Sequence, residues 1–193
     1  MSVALRHGMS LAEFLAWEAG QDLRYEFDGF QPVGMTGGTR AHAMLQANLM
    51  AGLHGRLRGG PCRVFGSDLK VEVAGSIRYP DAFIVCTGGA NDSLVVQDPV
   101  VIFEVLSPST ASTDRITKNR EYAATPSVLR YVMLEQDRIA ATVFARIEGE
   151  WRGYLVDAAD TLHLPEIGHE LPLAVLYEGM DLAADPDAMP GDA

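Results

Sequence analysis

Tyr79-Pro80-Asp81-Ala-Phe-Ile-Val-Cys86, a turn-rich break, and then Asp98-Pro-Val-Val-Ile-Phe-Glu104-Val-Leu-Ser-Pro-Ser-Thr110 is the stretch whose reading decides the fold. Each half holds one short apolar run. Val100-Val-Ile-Phe shows no polar alternation, which predicts a strand covered on both faces. Asp81 opens the first run and Glu104 closes the second. A buried, isolated carboxylate is costly, so Glu104 has to be paired, metal-bound or turned to a cavity, unless it is simply a strand end facing water. Asp81 alone says less, because Pro-Asp is common where strands begin.

Downstream, the pattern predicts a helix over 112–124, stopped by Thr125-Pro126 because proline disfavours helical geometry in the residue before it. A buried strand at 129–134 follows, then antiparallel strands at 140–147 and 151–156. Upstream lie strand-like runs at 62–73 and 76–86 and a helix over 40–57 with Leu45, Leu49, Leu53 and Leu57 every fourth residue. Before them come a hairpin turning at Asp28-Gly29 and a first helix opened by a Ser10–Glu13 capping box. From 157 the chain turns acidic, with one strand-like turn at 161–164 and a short apolar segment at 173–177. The order predicts one α+β domain over 1–193 with a mixed central sheet, an N-terminal helix and hairpin, a C-terminal β extension, and a flexible acidic tail at 183–193.

The 193 residues are 48% hydrophobic and 21% charged, and no apolar run is long enough for a membrane helix. With no export signal at the start, the expectation is a cytoplasmic protein in which Cys62 and Cys86 are reduced, buried residues. The formal charge of −11 opposes nucleic-acid binding only superficially. Residues 1–152 carry fifteen bases against seventeen acids, and the remaining nine acids lie beyond them. Carboxylates that hold a divalent cation would further favour a phosphate.

Lys118 lies four residues after Asp114, and the plain reading is a surface ion pair contributing about 0.3–0.5 kcal/mol. The functional reading rests on scarcity: two lysines stand against thirteen arginines, and an ammonium suits a site near attacking water. Tyr122 shares the helical face of Lys118. Glu26 reads equally as a polar strand position, His42 as an ordinary first-turn helix residue, and Lys70 is the rival for the lysine role. Together, two carboxylates on adjacent strands and one ammonium can hold Mg²⁺ and act on a phosphoester. No nucleophile elbow, phosphate loop, dinucleotide fingerprint or His-Glu-x-x-His competes.

Tyr25-Glu26-Phe-Asp-Gly, Tyr79-Pro80-Asp81, Glu104-Val-Leu-Ser107-Pro-Ser-Thr and Asp114-Arg-x-x-Lys118-x-x-x-Tyr122 closely resemble the Uma-two restriction-endonuclease family of the PD-(D/E)XK nuclease superfamily. The resemblance runs from about Leu11 to Tyr177. It implies a restriction-endonuclease-like α-β-β-β-α-β core. It also implies metal binding by Asp81, Glu104, the Val105 carbonyl and Glu26, and a catalytic set of Asp81, Glu104, Lys118 and Glu26. Leu106 occupies the place where the superfamily usually has its lysine, and Lys118 takes that role from the next helix. The implied protein is a Mg²⁺-dependent endonuclease acting on DNA, with Mn²⁺ able to substitute, working as a homodimer. The alternatives are a catalytically weak nucleic-acid-binding or assembly module and a metal-dependent hydrolase of small phosphoesters.

Overall fold

In a computed structural model that describes residues 8–35, 37–108 and 110–182, the local signals become the first elements. The tail expected at 183–193 lies outside the described residues. Ser10 Oγ accepts from the Glu13 amide and Glu13 Oε2 accepts from the Ser10 amide, closing the capping box on α1 (Leu11–Glu18). Strands β1 (Tyr25–Phe27) and β2 (Pro32–Gly34) form the hairpin. Its turn is set by Asp28 Oδ1, which accepts from the amides of Phe30 and Gln31, and by Gly29 at φ +86°. Thr39 accepts from the His42 amide to cap α2 (Arg40–Leu57), and the four leucines of its stripe are buried.

Five strands and a short one follow: β3 (Arg63–Gly66), β4 (Lys70–Val73), β5 (Ser76–Arg78), β6 (Ala82–Val85), β7 (Val95–Val96) and β8 (Val101–Val105). A π-helical turn (Thr113–Lys118) runs into α3 (Asn119–Ala124). Then come β9 (Arg130–Leu134), β10 (Ala140–Ile147), β11 (Glu150–Asp157), β12 (Thr161–Leu164) and β13 (His169–Pro172). Among the described residues the large sheet has the order β11-β10-β9-β8-β6-β3, and β8 and β9 are its parallel pair. The smaller sheet has the order β2-β1-β5-β4-β7. The fold is therefore α+β with mixed sheets. No helix among the described residues is long and apolar enough to cross a membrane.

Alternate residues of β8 feed two cores, which explains why its run carries no polar alternation. Val101, Phe103 and Val105 pack with the α2 leucines and the C-terminal segment. Ile102 packs on the other face with Phe83, Tyr122 and Tyr131.

Three expectations change. The runs at 62–73 and 76–86 each break in two, and the halves go to different sheets: β3 and β6 to the large one, β4 and β5 to the small one. Pro80 sits at one break, where it has no N–H to give a ladder. The helix expected over 112–124 is a π-helical turn in its first half. Cys62 and Cys86, expected to be reduced, form a disulfide. The register Arg63↔Val85, carried one residue further, puts the two cysteines directly across from each other on β3 and β6.

Candidate functional site

The register between β6 and β8 assembles the two acids. Ala82 lies opposite Phe103, so the next position places Asp81 opposite Glu104. Directly opposed residues project from the same face of a sheet, roughly 5 Å apart at Cβ. That face is the one carrying Phe83 and Ile102, beneath Tyr122. Asp81 Oδ2 accepts from the Val105 amide at 2.7 Å, which ties the first acid to the strand of the second.

The crossover from β8 to β9 delivers the lysine. Lys118 Nζ donates to Glu104 Oε1 at 2.9 Å and lies 3.1 Å from Asp114 Oδ1 and 3.4 Å from Glu26 Oε1. Asp114 is 1% exposed and Lys118 6%, so their pairing is not the surface ion pair that the i, i+4 spacing suggests. A π-turn is wider than an α-turn and recurs at functional positions. Here it carries both charged residues inward. Tyr122 Oη, one turn later, donates to Glu104 Oε1 at 3.1 Å.

Glu26 arrives from the small sheet. Its Oε2 accepts from Arg78 at 3.1 Å and its Oε1 from the Tyr79 amide at 3.1 Å. Arg78 is itself buried and forked onto Glu121 of α3 at 2.7 and 2.6 Å, with Ser76 Oγ on the same carboxylate. Lys70, the rival lysine, is ion-paired to Glu18, which also accepts from Tyr79 Oη at 2.6 Å.

The structure therefore brings Asp81, Glu104, Lys118 and Glu26 into one cluster and commits Lys70 to Glu18. Sequence reasoning missed Arg78 and Glu121, and it undervalued Asp114 and His42. His42 Nε2 is 2.8 Å from Asp81 Oδ1. The available signals were faint: Arg78 directly precedes Tyr-Pro-Asp, and His42 lies three residues before Leu45, on the leucine-striped face of α2.

Charge in the cluster is unbalanced. Burial, against the opposing effect of Lys118, raises the proton affinity of Glu104 well above the usual carboxylate range, and Asp114, Asp81 and Glu26 reinforce it. Burial opposes the charge on Lys118, but Glu104, Glu26 and Asp114 outweigh it and push its pKa up. The ammonium therefore stays charged, and the surplus negative charge falls on Glu104. Burial would raise the pKa of Glu26 too, yet Lys118, Arg78 and the Tyr79 amide together hold it below the ordinary value. The Asp81 hydrogen bond raises the pKa of His42 against the cost of burial.

A stability prediction follows. Because the folded-state pKa of Glu104 is raised, its contribution is most favourable below the unfolded value of about 4.3 and is lost as pH rises through the folded value. Glu104→Gln should therefore raise the metal-free melting temperature at pH 8 by about 2–4 °C for each kcal/mol relieved. The advantage over wild type should shrink towards pH 5. Thermal melts at both values check this; a constant difference would mean that Glu104 ionisation carries no cost.

The donor set fits a hard divalent cation. Asp81 and Glu104 are opposed carboxylates with an excess of negative charge around them, and Glu104 Oε2 accepts no hydrogen bond among the described residues. Among those residues no three His, Cys, Asp or Glu side chains gather as a preformed metal-binding group. Mg²⁺ does not demand one, since it usually keeps several waters and takes one or two carboxylates.

Residues 11–175 match the Uma2 family, described as "Putative restriction endonuclease". An uncharacterized protein of Synechocystis sp., slr1290, is 30% identical over 176 residues, covering 89% of this chain and 93% of its own length. A second from the same organism, sll1609, is 28% identical over 141 residues, 70% of this chain and 80% of its own. In structure, the chain is similar to a "putative nuclease belonging to DUF820" from Anabaena variabilis, with a TM-score of 0.74 and 15% identity over 88% of this chain and 97% of that one. At that identity the likeness is one of fold.

Proposed function

The chain belongs to the Uma2 family, and on that premise we propose that it is a divalent-metal-dependent endonuclease that hydrolyses phosphodiester bonds in DNA. One observation carries the reading: Asp81, hydrogen-bonded to the Val105 amide, lies one register step beyond the Ala82–Phe103 pair and so beside Glu104, with the Lys118 ammonium 2.9 Å from Glu104. Mg²⁺ is the ion we assign, with Mn²⁺ as a substitute. Asp81 and Glu104 would hold it, with the Val105 carbonyl as a neutral donor and Glu26 adjoining. Once bound, it supplies Lewis acidity toward the phosphate and a more acidic water.

The chain's own residues do the rest. Lys118 presents a fixed positive charge where the phosphorane-like transition state gathers negative charge, and such preorganised charge costs no reorganisation during reaction. Glu26, kept ionised by Lys118 and Arg78, is a second carboxylate partner of the ammonium. Tyr122 fixes Glu104 Oε1, and Oε2 accepts no hydrogen bond among the described residues. Cutting both strands asks for two such sites, so we assign a homodimer acting on cytoplasmic DNA.

Supercoiled plasmid with Mg²⁺ or Mn²⁺ tests the reading. Nicked and linear products are expected with either metal and none with EDTA. A second reading, a nucleic-acid-binding module without turnover, is favoured by the way protein donors already satisfy both oxygens of Asp81. Salt-sensitive DNA binding with no metal-dependent cleavage would select it.

A further inference from the structure

Asp81 stands just before β6, beyond the paired residues of that strand, and β8 holds its carboxylate at one point, the Val105 amide on Oδ2. Glu104 is inside a strand and is gripped by Lys118 and Tyr122. The other holds on Asp81 come from α2. His42 Nε2 meets Asp81 Oδ1 at 2.8 Å, and Gln46 Nε2 donates to the Asp81 carbonyl oxygen at 2.9 Å. The two residues are four apart, one above the other on the same helical face.

The base of this grip is rigid. α2 is capped by Thr39, anchored by its buried leucines, and tied again through the Gln46 amide to Ser67 Oγ at 3.1 Å. The histidine is poorly explained as packing. Its Nε2 points at Asp81 while Nδ1 is buried with no hydrogen-bond partner among the described residues, so among them the bond to Asp81 is the ring's one polar return. Leaving a buried nitrogen bare is costly, and native structures rarely do so without a purpose.

We propose that His42 and Gln46 are positioning residues: a two-point clamp that fixes both the side chain and the backbone of Asp81 and so sets the direction in which its carboxylate faces Glu104. The inference rests on the metal-dependent reading of the site. Partners of this kind orient a ligating carboxylate, and losing one typically weakens metal binding about 10–100-fold. In this role His42 and Gln46 act through Asp81.

The test uses the full chain as wild type, His42→Ala, His42→Gln and Gln46→Ala, with two readouts. Amide hydrogen exchange at Val105 reports the clamp without any metal, because that N–H donates to Asp81 Oδ2. Mn²⁺ titration by calorimetry reports its consequence. In His42→Ala, Val105 should exchange roughly tenfold faster while Ile102 and Phe103 keep their wild-type rates, and the Mn²⁺ Kd should rise about 10–100-fold. His42→Gln, which can place an N–H at the same point, should recover both, and Gln46→Ala should show a weaker version of the same pattern. Unchanged Val105 exchange in His42→Ala, or equal acceleration at all three amides, overturns the clamp. If wild type binds no Mn²⁺, the metal reading fails, and Val105 exchange alone still decides whether the clamp exists.

Discussion

Asp81→Asn is expected to reduce metal-dependent DNA cleavage by about 10³-fold, because a metal site supplies several kcal/mol of transition-state stabilisation and each 1.4 kcal/mol is tenfold in rate. The substitution keeps the size of the side chain and removes one negative charge from the cross-strand pair. The Val105 amide needs the Asn oxygen as its acceptor, so the amide N–H₂ turns toward His42, whose Nε2 can accept it only with the ring proton moved to the buried Nδ1. That mismatch should lower stability by about 1–3 kcal/mol, which thermal melting can measure separately from plasmid cleavage. A folded Asp81→Asn protein that cuts as fast as wild type would remove Asp81 from the site and the endonuclease reading with it.

Lys118→Met has the other large effect, and it acts on two quantities at once. Without the ammonium, Glu104, Asp114 and Glu26 face one another across a buried space. Removing one partner from a buried ion pair costs about 3–5 kcal/mol, which at this chain length is a fall of roughly 10 °C or more in melting temperature. Cleavage should drop about 10²–10³-fold, as expected for one lost transition-state charge contact. The two losses separate on adding Mn²⁺. A cation that binds the folded chain through these carboxylates restores stability by mass action but not activity. Full activity in folded Lys118→Met, or a melting temperature equal to wild type without metal, would contradict the assignment.

The legible part of this protein lay where local and tertiary demands agree. Glu104 could be singled out because an acid among Val, Ile and Phe has no inexpensive explanation, and the leucine stripe of α2 marked the face that packs on the large sheet. The capping box and the Asp28-Gly29 turn are local by nature, so they were readable too. Asp114 was misjudged because i, i+4 spacing predicts proximity to Lys118 but not burial. The π-turn that buries both depends on what the crossover must reach. His42 looked ordinary because its partner lies 39 residues away, and the disulfide was hidden because it follows from the β3–β6 register, not from any cysteine motif.

Arg78 joins Glu121 on α3 to Glu26 on the small sheet, and it does so from a position almost wholly closed to water. This rivet has an evolutionary meaning. Loss of Arg78 takes from Glu121 the guanidinium forked onto it, and loss of either glutamate leaves the buried guanidinium with one counterion instead of two, so each single change should cost stability. Glu121, with no contact to Asp81 or Glu104 of its own, is thereby bound to the history of the site.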